Sequence, residues 1–161
     1  MWWDLRPSDR FPTLEMRVTD VCTTLDDAIA IAAIFRCLCR MLYRLRIDNQ
    51  RWREYSRFLI AENRWQAQRH GTQGALIDFG RGAMVPFEEL IDELMELIGE
   101  DADFFRCRAA VEHARAMVSH GTSADKQLAV YNAALESGAG TPEALRAVVD
   151  HLIAETMAGC T

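Results

Sequence analysis

A change of period near residue 20 constrains this chain more than any other feature. Thr13, Glu15 and Arg17 fall on one side of an extended segment, and Leu14, Met16 and Val18 on the other. Period two indicates a half-buried strand. Trp2-Trp3-Asp4-Leu5-Arg6 is a second candidate strand, set off by Pro7-Ser8-Asp9, which has turn composition. From residue 24 the apolar spacing becomes helical: Leu25, Ala28, Ile29, Ala32, Phe35, Cys39 and Leu42. The expected class is α+β, with two antiparallel strands in front of a mostly helical body. A two-stranded hairpin is marginal by itself. These strands therefore call for more sheet than the chain obviously supplies.

The rest of the chain reads as a succession of helices. Thr24-Leu25-Asp26-Asp27 resembles a capping arrangement and opens a helix over about 24–46. A second helix is expected from near Asn49 to Arg69, with Trp52, Tyr55, Leu59 and Ile60 as its stripe and His70-Gly71 as its stop. Ala75–Phe79, Gly80-Arg81-Gly82 and Ala83–Val85 form a small hairpin near 75–85. Pro86 opens a third helix to about Ile98, a fourth spans about 101–120, and Gly121-Thr122-Ser123 caps a fifth over about 124–137. Thr141-Pro142-Glu143 begins the last, to about Met157. The organisation is one domain: residues 1–20 carry the strands, and 24–161 form the helical body.

Charge narrows the function. The chain has 161 residues and a net charge of −6. Residues 1–69 hold 12 Arg against 9 acids, giving +3; residues 70–161 hold 6 basic side chains against 15 acids, giving −9. An acidic balance argues against a nucleic-acid binder, because phosphate neutralisation supplies most non-specific affinity. No apolar run approaches the roughly 18 residues of a membrane span. The start, Met1-Trp2-Trp3-Asp4-Leu5-Arg6, does not resemble a signal peptide, so a cytoplasmic protein is expected. Cys22, Cys37, Cys39, Cys107 and Cys160 are odd in number and irregularly spaced, a poor disulfide framework; buried reduced thiols are expected.

The chemistry, if any, sits on the first strands. Glu15 and Arg17 are two apart and project from one strand face, with Arg6 and Arg10 nearby. A solvated surface ion pair is one reading. The other is a site for a metal-bound nucleotide: a hard divalent cation needs carboxylate oxygens, and phosphate oxygens suit Arg forks. The spacing leaves both open.

The longer string is more specific. Trp3-Asp4-Leu5-Arg6-Pro7-Ser8 and Phe11–Asp20, followed at once by an Ala-rich helix, resemble the carboxylate–amine ligase family, the glutamate–cysteine ligase type 2 group of the glutamine synthetase-like superfamily. The resemblance continues through Glu62–Gly71, Ala75–Asp78, Val85-Pro86, Gly121–Gln127, Leu145–Asp150 and Ala154-Glu155-Thr156, so it covers essentially the whole chain in order. It implies a partial antiparallel sheet of a glutamine synthetase-like fold packed against about six helices. It implies an ATP-dependent ligase that forms an amide through an acyl phosphate, with Mg2+ or Mn2+, and with glutamate and cysteine or a similar amine as substrates. Carried over by position, Glu15 would ligate metal, Arg17 would be catalytic and hold the phosphoryl group, and Arg6 would be a second nucleotide-binding arginine. The resemblance assigns no clear role to Asn63 or Arg69, for which a helix-to-sheet contact is an equal reading. Asp125 and Gln127 read as structural, a helix-start acid beside a cap.

The resemblance is to the C-terminal part of the family only. One Glu cannot hold the several cations of such a site. The isolated chain is therefore expected to have little or no ligase activity, and to need a separate N-terminal chain or a homo-oligomer. The competing reading is a non-catalytic helical docking module. It would bury Trp2, Trp3 and Leu14 and close the sheet edge, whereas a ligase part would leave Glu15 and Arg17 on an open face.

Other groups carry less. His70, His113, His120 and His151 have no metal-binding spacing, and solvated histidines are expected. Gly80-Arg81-Gly82 lacks the Lys-Ser/Thr of a phosphate loop. Glu88, Glu89, Asp92, Glu93 and Glu96 read as a solvated helix face. Arg36, Arg40 and Arg44 line one helical face, which would meet either solvent, a nucleotide or an acidic surface supplied from outside the chain.

Overall fold

The fold was obtained as a computed structural model that describes residues 4–158. Strands β1 (Leu5–Pro7) and β2 (Leu14–Met16) form one antiparallel pair. Six helices follow among the described residues: α1 (Leu25–Ile47), α2 (Arg57–His70), α3 (Phe87–Phe104), α4 (Arg108–Ser119), α5 (Ser123–Glu136) and α6 (Thr141–Met157). A second antiparallel pair, β3 (Ala75–Asp78) and β4 (Ala83–Pro86), stands between α2 and α3, preceded by a 3-10 turn at Gly71–Gln73. The α+β class read from the sequence is the observed one.

The core lies where α1, α3 and α4 meet. Ala33 and Cys37 of α1 pack with Met95, Ile98 and Ala102 of α3 and Val111 and Ala114 of α4. Small residues at 30, 33 and 37 leave α1 without bulk on this side, so its neighbours approach closely. The first helix starts as its sequence suggests, with the Thr24 hydroxyl accepting from the Asp27 amide at 3.3 Å. The carboxylate of Asp27 engages Nε2 of His113 on α4, 2.8 Å away. His113 is thus a partner across the helix interface rather than a solvated side chain. α5 opens with a full capping box between Thr122 and Asp125. α5 packs chiefly on α6, and Lys126 joins Glu155 at 2.9 Å. A hydroxyl pair, Thr23 and Ser123 at 2.5 Å, ties the segment after β2 to the start of α5; Gln127 donates to the same Ser123.

Three helix boundaries differ from the sequence reading. The second helix starts at Arg57, not near Asn49. Asn49 takes a left-handed conformation (φ 55°), and the Gln50 amide turns back to the Leu45 carbonyl, which ends α1 and leaves residues 51–56 irregular. Tyr55 then serves the β3–β4 turn, its ring 4.6 Å from that of Phe79. The third helix runs through Gly99 to Phe104, because the break falls at Arg106 (φ 55°); the fourth consequently starts at Arg108. Pro86 closes β4 and caps α3 instead of opening it. Trp2 and Trp3 lie outside the described residues, as does Cys160.

The arginine row of α1 engages residues of its own chain, with the Arg40 and Arg44 side chains still part-exposed. Arg40 and Arg44 converge on the fully buried carboxylate of Asp101 in α3: Arg40 Nη1 lies 2.5 Å from Oδ1, and Arg44 Nη2 lies 2.8 Å from Oδ2. Glu100 forms longer ion pairs with both. Arg36 lies over the Phe105 ring and Arg40 over that of Phe104, each 3.8 Å from the centroid. Burial would raise the Asp101 carboxyl, but hydrogen bonds from Arg44 and Arg40 outweigh it and hold the group below the ordinary Asp value. The acidic face of α3 is likewise partly consumed: Arg81 bonds Glu89 and Glu93, and Arg115 bonds Asp92.

Candidate functional site

Register brings the predicted residues together. Arg6 stands directly opposite Glu15 in the β1–β2 pair, and Arg17 follows Glu15 by two residues. Pleating puts Arg6 and Glu15 on one face. Leu5, Pro7, Leu14 and Met16 occupy the other positions of the register. On the polar face, Arg6 donates from Nε to Oε2 of Glu15 and Arg17 donates from Nε to Oε1, each at 2.6 Å. The Glu15 side chain keeps 40% of its exposure, Arg6 41% and Arg17 31%. The Arg6 guanidinium, then that of Arg17, holds the Glu15 carboxyl below the ordinary carboxylate value. The carboxylate is ionised across neutral pH and flanked by two guanidinium groups.

The sheet that carries this face is open. Among the described residues β1 and β2 pair only with each other, so each has an unpaired edge. Leu14 is 52% exposed and Leu5 46%. The face expected to be half-buried is thus uncovered by the described residues. The hairpin is fastened to the helical body by Asp4, whose carboxylate accepts from Nη1 of Arg64 on α2 at 3.0 and 3.1 Å. This pair escaped sequence reading because its members are 60 residues apart, beyond any local spacing.

Asn63 plays the helix-to-sheet part. Its Oδ1 accepts from the Ile77 amide at 2.7 Å and its Nδ2 donates to the Ile77 carbonyl at 2.9 Å, so one side chain satisfies both backbone groups of a strand residue. Arg69 is exposed in the last turn of α2, where a cation complements the carbonyl end of the helix. Asp125 is the capping-box acid and Gln127 braces Ser123; both are structural.

The donor set sets limits on what it can bind. A single carboxylate provides one or two of the six or more oxygens a hard divalent cation takes. Among the described residues no group of three His, Cys, Asp or Glu side chains is close enough to hold a metal. The set fits an anion at the guanidinium side and one ligand position at the carboxylate. A separate open cleft of about 560 Å3 lies between residues 51–55 and the β3–β4 turn, lined in part by Trp52, Arg53, Tyr55 and Arg81. It contains none of Arg6, Glu15 or Arg17. No described helix is long and apolar enough to cross a membrane.

Comparison with known proteins supplies the family. The model of glutamate-cysteine ligase family 2 (GCS2) matches residues 1–151. A protein of Rhodospirillum rubrum named "Putative glutamate--cysteine ligase 2" is 64% identical over 98% of this chain and 41% of its own length. Proteins of the same name from Jannaschia sp. and Sorangium cellulosum are 51% and 42% identical, over 95% and 99% of this chain and 40% of their own lengths. The chain thus spans about two fifths of the length of the curated relatives it matches. Matched by the family model over residues 1–151, the chain belongs to glutamate-cysteine ligase family 2.

Proposed function

We propose that these residues form the C-terminal part of an ATP-dependent carboxylate–amine ligase that joins glutamate to cysteine or a similar amine through an acyl phosphate. The observation that carries this reading is the open sheet face on which an ionised Glu15 lies between Arg6 and Arg17. Leu14 is exposed and, among the described residues, the sheet edges are unpaired, which favours a ligase part over a self-contained helical module. Glu15 would supply one oxygen ligand to a Mg2+ or Mn2+ ion, whose chemistry when bound is to neutralise the polyphosphate of ATP. Arg17 would hold the transferring phosphoryl group, and Arg6 a neighbouring phosphate oxygen. Their fixed positions would stabilise charge without reorganisation, which is the larger part of what such a reaction asks of a protein. Arg6 and Arg17 also keep Glu15 deprotonated, so it is ready to ligate at any neutral pH. Further carboxylates and sheet would come from sequence outside these 161 residues, in accord with the share of the relatives covered.

The test is reconstitution. The purified chain is assayed for glutamate- and cysteine-dependent phosphate release, alone and with the N-terminal three fifths of the Rhodospirillum rubrum relative. No turnover alone and turnover on mixing is the expected result. Glu15→Gln in the mixture should lower kcat by about 10²-fold, the scale of losing one electrostatic contact in such chemistry. Robust turnover by the chain alone would overturn the need for further strands, and full activity of the Glu15→Gln mixture would overturn the site.

A further inference from the structure

Five cysteines gave no disulfide framework in sequence, yet the fold brings two of them together. Cys37 belongs to the fully buried core, on the side of α1 facing α3 and α4. Cys107 is partly buried at the N-cap of α4, just after the left-handed residue that ends the α3–α4 turn. Their sulfurs are 3.7 Å apart, although 70 residues separate them. A disulfide bond is about 2.0 Å, so closure asks the sulfurs to approach by about 1.7 Å. Cys107 stands outside the body of either helix, between the end of α3 and the start of α4. Among the described residues no third metal-ligating side chain joins the two, so they stand as a pair.

We infer that Cys37 and Cys107 form a modification site, a dithiol that a low-molecular-weight disulfide converts into an intramolecular staple between α1 and the start of α4. The reaction balances by exchange. The Cys107 sulfur, as thiolate, attacks the disulfide R–S–S–R, forms a mixed disulfide and releases one R–S−, which takes up a proton. The Cys37 sulfur then loses its proton, attacks the Cys107 sulfur and releases the second thiol. The dithiol is oxidised by two electrons and the reagent is reduced to two R–SH. The order follows from access and acidity. Burial, then the hydrogen bond with Cys107, pushes the Cys37 thiol up to about 12, so Cys37 is the resolving and not the attacking sulfur. Cross-linking 70 residues restricts the unfolded chain strongly, and both ends of the staple lie at the core cluster.

Oxidised glutathione is the probe. The folded chain is incubated with it, alkylated, and cleaved with trypsin, which releases residues 37–40 and 107–108 as a linked pair if the bond forms. A Cys39→Ala background makes the assignment unique, since Cys39 shares the first fragment. The expected result is that linked pair, with a rise in Tm of about 10 °C that dithiothreitol reverses. Cys107→Ser, at the more exposed sulfur, should abolish both effects, and Cys22→Ala should leave both intact. The inference is overturned if the folded chain yields no 37–107 link, or if the link forms at the same rate in urea as in the native state. It is equally overturned if Cys107→Ser keeps the Tm rise. None of these readings depends on ligase activity.

Discussion

Two carboxylates in this molecule are each clamped by two arginines, and their settings differ completely. Asp101 lies fully buried between α1 and α3, with Arg40 and Arg44 engaging its two oxygens and aromatic rings beneath Arg36 and Arg40. Glu15 lies on an open two-stranded sheet with Arg6 and Arg17. The local chemistry is the same: each carboxyl is held below its ordinary value by its two guanidinium partners. What differs is the work left for the group to do. Between the helices both oxygens of Asp101 are taken up by Arg40 and Arg44, so the triad fixes how two helices meet. On the sheet the same triad keeps about two fifths of its carboxylate exposed, and a surface ion pair of that kind adds little to stability. An arrangement that contributes little to folding yet needs three residues in register is free to serve a ligand.

The largest effect belongs to the buried triad. Asp101→Ala should cost about 3 kcal/mol of unfolding free energy, since it leaves two arginines facing a site built for an anion. Replacing all three at once, Arg40→Met, Arg44→Met and Asp101→Leu, should recover most of that loss, because the desolvation cost of the ions goes with them. Urea titrations measure both. A triple variant as unstable as the single one would mean that packing, not charge, holds the interface.

The second effect is on acid stability. Asp101 titrates lower when folded than when unfolded. Its contribution is present in full above its unfolded value near pH 4 and is lost as pH falls through the lower folded value. The gap in stability between the native chain and Asp101→Asn should therefore be constant from neutral pH to about pH 5 and narrow in stronger acid. A gap that widened on acidification would reverse the assignment of the arginines as the dominant influence.

The smallest effect is expected at the sheet. Glu15→Gln should leave the urea midpoint of the isolated chain in place, while the same change disables the reconstituted activity. A clear loss of stability from Glu15→Gln would erase the distinction between the two triads, because Glu15 would then be part of the fold's support.

The sequence disclosed the sheet site better than the interior one, for a physical reason. Glu15 and Arg17 are two apart on an alternating segment, so local periodicity alone puts them on one face. Arg6 joins them through a short hairpin whose turn residues were also readable. Asp101 reads as one more acid in an acidic stretch; its burial depends on where α3 crosses α1, which no local pattern encodes. The start of α2 failed similarly. Trp52 and Tyr55 have helical spacing with Leu59, but the left-handed turn at Asn49 and the ring of Phe79 take them elsewhere. The Thr24 and Thr122 helix caps, the 75–85 hairpin and the final helix depend on neighbours in sequence, and those were legible.

Asn63 and Arg64 are consecutive on α2, and each grips a different sheet. The first holds β3 by the backbone of Ile77, and the second holds β1 through Asp4. A single turn of helix therefore acts as a yoke. Two neighbouring side chains of one helix thus set the positions of both hairpins relative to the same backbone.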